Sequence, residues 1–86
     1  MLTPTRWQIM QALWEKEQEG DKEISARDVA RLLHDEIEIA EREIGALVDG
    51  GLLREGDLTT DRMLFAAFSE EGREKMRARV EREAGE

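Results

Sequence analysis

The chain has 86 residues, no cysteine and a formal net charge of −8. That length supports one domain with a modest core of Leu, Ile, Val, Met, two Trp and two Phe, and the lack of cysteine excludes a disulfide framework or a thiolate metal site. The acidic balance excludes phosphate affinity from overall charge, while the absence of a long apolar run and of a basic-then-apolar leader predicts a cytoplasmic protein with no membrane association.

Leu2-Thr3-Pro4-Thr5 predicts a helix start, with Thr3 as cap, Pro4 in the first turn and Leu2 placed to pack on Trp7. Met10, Leu13 and Trp14, widened by Ile9 and Trp7, recur at helical spacing, so both tryptophans are expected in the core. The charged run Glu15 to Lys22 predicts a solvated loop, and Glu23-Ile24 has room for a short strand. Ser25 predicts the next cap, with Asp28 reaching back to it and Ile24 packing on Val29. A short helix follows through Leu33 and ends near His34-Asp35. After a turn of a few residues, Ile37, Ala40, Ile44, Leu47 and Val48 line one face of a further helix, which Gly50 or Gly51 ends. Its core side is expected to run from Ile37 to Val48, and its outer side to carry Glu38, Ile39, Glu41, Arg42, Gly45, Ala46 and Asp49.

Leu52 to Glu55 and Arg62 to Phe68 read as two strands around the polar turn Gly56 to Asp61. Ser69 then caps a last helix, with Glu70 and Glu71 at its positive end, Met76 and Val80 on its apolar side and a Glu71 to Lys75 pair on its wet side. The order is helix, short strand, helix, turn, helix, hairpin, helix. It predicts a mainly α fold with a small β-hairpin, a winged helix-turn-helix spanning 1–86, with the recognition helix over 34–50, the wing over 52–68 and the C-terminal helix over 69–84.

Several stretches resemble the MarR family of transcription regulators: Leu2 to Trp7 before the first helix, Ile24 to Leu33 opening the helix-turn-helix, Leu47 to Leu53 leading into the wing, and Phe68-Ser69-Glu70-Glu71-Gly72-Arg73 leaving it. PadR-like regulators share much of this pattern. The resemblance implies duplex DNA as partner, bound by a dimer, with Arg42 on the reading helix and Asp61-Arg62 as the wing pair. Three features depart from the family: glutamates at 38, 41 and 43 of the reading helix, a wing about one residue short, and no extra dimerisation helices.

Enzyme and metal chemistry find no footing. His34 is the only histidine, without ligand spacing around it; Asp57 to Asp61 lacks the glycine and the glutamate of a calcium loop; and no Gly-Lys-Ser/Thr follows Gly50-Gly51. No cofactor is expected. Two readings of the outer face remain. In the first, Arg27 and Arg31 hold phosphates, Arg42 reaches a guanine edge, Ile39 touches a thymine methyl, and Arg54 and Arg62 anchor the wing. In the second, Glu38, Ile39, Glu41, Ala46 and Asp49 meet a protein partner with a basic surface, or a second copy of the chain. The first and C-terminal helices are expected to pack together through Met76, Val80, Trp7 and Trp14, either within one chain or across a homodimer.

Overall fold

Hydroxyl caps start three of the four helices in the computed structural model, which describes residues 2–56 and 63–85. Thr3 Oγ1 accepts the Arg6 amide at 3.2 Å and Pro4 opens α1 (Pro4–Gln18). Ser25 Oγ accepts the Asp28 amide at 3.1 Å where β1 (Ile24–Ser25) passes into α2 (Ala26–Leu33). Ser69 Oγ accepts the Gly72 amide at 3.0 Å at the start of α4 (Glu70–Ala84). Each cap satisfies an amide that the helix itself leaves unbonded. Between α2 and α4 lie α3 (Ile37–Asp49), β2 (Leu53–Glu55) and β3 (Phe65–Phe68).

The sheet has the order β1-β3-β2, both pairings antiparallel. The register sets Leu53 opposite Phe68 and Glu55 opposite Ala66, while Ile24 meets Ala66 from the other edge. In the central strand Ala66, Ala67 and Phe68 are all buried, and the small alanines suit a strand with neighbours on both edges. The expected second wing strand began at Arg62, whereas β3 starts at Phe65; the Leu64 carbonyl before it accepts the Ala26 amide at 2.8 Å, tying the wing to the start of α2. Residues 57–62, and with them Arg62 and the stretch Asp57 to Asp61, lie outside the described residues.

Ile9, Met10 and Leu13 of α1, Ile24, Val29, Ile44 and Leu47, and Met76 of α4 form the fully buried centre. The tryptophans pack on its rim. Trp14 meets Phe68 edge to face at 6.4 Å, and the Arg79 guanidinium stacks 4.2 Å from the Trp7 ring centre, a favourable arrangement for a cation. Met76 and Val80 pack on the core of their own chain, so the contact between the first and last helices is internal here.

Four local expectations need correction. The run expected as a loop from Glu15 is helical to Gln18, because Lys16 and Glu17 find partners in distant elements: Asp28 at 3.5 Å and Arg73 at 2.6 Å respectively. The Asp28 carboxylate is accordingly drawn to Lys16 instead of reaching back to Ser25. On α4 the charged pairs are Arg77 with Glu74 at 2.8 Å and Arg79 with Glu83 at 3.3 Å, not Glu71 with Lys75. The helix expected over 34–50 as the recognition helix begins at Ile37, since His34 at φ 54° closes α2 in the left-handed region and Glu36 is extended.

Candidate nucleic-acid interface

The helix-turn-helix joins α2 to α3 through His34, Asp35 and Glu36. The Asp35 amide bonds back to the Ala30 carbonyl at 3.0 Å, and Asp35 Oδ1 accepts the Glu36 amide at 2.8 Å, so the turn is held by its own chemistry. At the far end of α3 the Leu52 amide reaches the Leu47 carbonyl and the Gly51 amide the Val48 carbonyl, each at 3.0 Å. This is a Schellman motif, and Gly51 at φ 79° is the residue that takes the left-handed position left open between Gly50 and Gly51.

Two further contacts lock that end. Ser69 Oγ donates to the Gly51 carbonyl at 2.5 Å, and Gly72 presses so closely on the Leu52 carbonyl that an added Cβ would lie 1.8 Å from its oxygen. The glycine of the Gly72-Arg73 step after the wing is therefore a packing requirement as well as a resemblance. No larger residue fits without moving backbone.

Ala40, Ile44 and Leu47 bury the inner face of α3, and Val48 packs at its edge. With 3.6 residues per turn, Glu38, Arg42, Gly45 and Asp49 form the line opposite. Ile37, expected in the core, is 38% exposed: it sits in the first turn, where only α2 and the connecting turn are near, and it lines an open groove with Arg27, Ala30, Arg31, His34 and Asp35. Ile39, expected at the centre of the outer face, is half-buried in a second groove with Thr5, Gln8, Leu32, Leu33 and Glu43. It lies a step round the helix from the outer line.

Arg27, Arg31 and Arg42 are exposed and make no ion pair with a described residue. Arg54 is exposed on β2, where Nη1 donates to the Glu55 carbonyl at 3.2 Å. Glu38, Glu41 and Asp49 are exposed, and Gly45 and Ala46 are half-buried between them. Glu43 differs from the other α3 carboxylates: its Oε2 accepts from Arg6 Nε at 2.9 Å. Arg6 was not singled out by the sequence, since nothing local relates it to a residue 37 positions away. Its placement near the start of α1, at the positive end of that helix, was the one available sign that it answers to a partner elsewhere.

The architecture defines the chain as a winged helix-turn-helix domain of MarR-like form. It superposes on AbsC, a MarR family transcriptional regulator from Streptomyces coelicolor, with a TM-score of 0.78 and 25% identity over 98% of this chain and 55% of that one. It is also similar to the adhesin competence repressor AdcR from Streptococcus pyogenes, with a TM-score of 0.73 and 18% identity over 98% of this chain and 59% of that one. A transcriptional regulator homologue from Pyrococcus horikoshii OT3 matches with a TM-score of 0.68 and 18% identity, covering 92% of this chain and 75% of that one. The chain thus spans little more than half the length of the first two regulators. No protein-family model and no curated protein matches it by sequence. Among the described residues no helix is long and apolar enough to cross a membrane.

Proposed function

We propose that this chain is the DNA-binding domain of a transcriptional regulator, a non-enzymatic protein that works on duplex DNA in the cytoplasm. The observation that carries this reading is Arg42 on the outer line of α3, exposed and in no ion pair with a described residue, on the helix that a helix-turn-helix lays in the major groove. A guanidinium there matches the two acceptors of a guanine edge. Arg27 and Arg31, beside the first turn of α3, are placed for phosphates, as is Arg54 on β2.

The carboxylates Glu38, Glu41 and Asp49 act on the same field with opposite sign. They repel phosphates wherever the bases do not reward Arg42, so non-specific affinity is low and discrimination rests on the chosen site. A pair of half-sites would be read by a homodimer, for which α1, α4 and the residue Leu2 before α1 offer an open groove lined by half-buried Leu2, Trp7, Gln11 and Arg79. Selection of duplexes from a random library tests the proposal. A defined sequence should emerge, and Arg42→Ala should weaken binding to it by about 1–3 kcal/mol while relaxing preference at one position.

A second reading rests on the same carboxylates. Glu38, Glu41 and Asp49 make no ion pair with a described residue, and Gly45 leaves open space between them, a surface suited to a protein partner with a basic face. Failure to select any duplex even at low salt would overturn the first reading and favour the second.

A further inference from the structure

Three ion pairs join different helices among the described residues, and each has one end on α1. Lys16 holds Asp28 of α2, Glu17 holds Arg73 of α4, and Arg6 holds Glu43 of α3. The last is unlike the others in where its charges would otherwise go.

Arg6 occupies the first turn of α1, where a cation opposes the helix dipole, so the stability of α1 does not account for it. Glu43 sits on the flank of α3 that faces the groove lined by Thr5, Gln8 and Ile39. A helix lying in the major groove presents its outermost line to the bases and its flanks to the two phosphate strands. A bare carboxylate at Glu43 would therefore oppose phosphate, whereas the paired one presents little net charge.

We infer that Arg6 is a positioning residue of the reading face: by pairing with Glu43 it fixes α3 against α1 and removes one of that helix's four carboxylates from the field met by the duplex. This inference rests on the DNA-binding reading above. It assigns a role to a residue outside the helix-turn-helix and divides the acidic set of α3 into one neutralised member, Glu43, and three, Glu38, Glu41 and Asp49, in no ion pair with a described residue.

The test uses wild type, Arg6→Ala, Glu43→Gln and the double variant, with the tightest duplex recovered by wild type from a random library as probe. Fluorescence anisotropy is followed across a salt series, and circular dichroism checks that all four chains are folded. Unmasking one carboxylate cancels the neutralisation of about one phosphate, so Arg6→Ala should lose roughly three- to eightfold in affinity near ~0.1 M salt and flatten the salt slope by about 0.9. Adding Glu43→Gln to Arg6→Ala should restore most of the affinity and the slope. Should Arg6→Ala unfold, Arg6→Gln, which keeps the side-chain stem, takes its place under the same outcomes. A double variant as weak as Arg6→Ala would overturn the inference, because Arg6 would then act on phosphate directly; so would wild-type affinity in Arg6→Ala. If wild type recovers no duplex, the DNA-binding reading itself falls and this inference with it, an outcome distinct from a wild type that binds and is indifferent to Arg6.

Discussion

The C-terminal end of α3 is held by a Schellman motif, by the Ser69 hydroxyl on the Gly51 carbonyl and by Gly72 against Leu52, whereas at the N-terminal end Glu36 makes no side-chain cap and Ile37 is exposed. The first end joins the wing and α4, and apart from the Ser69 hydroxyl its contacts are between backbones, which cannot rearrange without moving whole elements. The second follows the short turn from α2, and its first residue, Ile37, is open to solvent. In a recognition helix the N-terminal residues are the ones that approach base edges. The end that anchors the fold is held by several contacts at once, and the end that the DNA-binding reading turns toward the bases starts without a side-chain cap.

The sharpest way to break this contrast is Gly72→Ala. Helix propensity alone would make that change favourable by about 1 kcal/mol. Backbone contact with the Leu52 carbonyl reverses the sign, and a loss of about 3 kcal/mol is expected in chemical denaturation. Gly51→Ala comes next: at φ 79° an alanine should cost about 1–2 kcal/mol, read in the same assay. Gly45→Ala, in the middle of the same helix with nothing within 4 Å of the new methyl, should instead stabilise by about 0.5–1 kcal/mol. If it also weakens partner binding, close approach at Gly45 is the reason the glycine is there. The smallest effect is expected at the N-terminal end, where Glu36→Asp provides the missing cap without changing charge and should raise stability by about 0.5 kcal/mol. No gain there would show that the start of α3 is already satisfied, and the contrast between its ends would fail.

The corrections share one cause. Thr3, Ser25 and Ser69 act on amides three residues away, and the Gly50-Gly51 stop acts within one turn, so caps, stop and wing order were all readable along the chain. Glu15 to Gln18 looked like a loop because apolar periodicity ends at Trp14, yet Lys16 and Glu17 are held by Asp28 and Arg73. Glu43 looked like one more carboxylate of the reading face, yet Arg6 takes it. Ile37 fitted the apolar stripe, yet it is 38% exposed at the start of α3, beside an open groove. Arg27, Arg31, Arg42 and Arg54 could be named as exposed cations from helix and strand phase, but not as paired or unpaired ones.

By itself the sequence determined the winged-helix order, since capping, periodicity and turn chemistry are short-range and do not depend on what lies across the core. Only the tertiary structure decided which charges stay bare. An ion pair such as Arg6 with Glu43 forms between residues 37 positions apart, and its existence depends on how α1 lies against α3. The fold was therefore legible in the order of residues, while the charge on the outer face of α3 was set by packing.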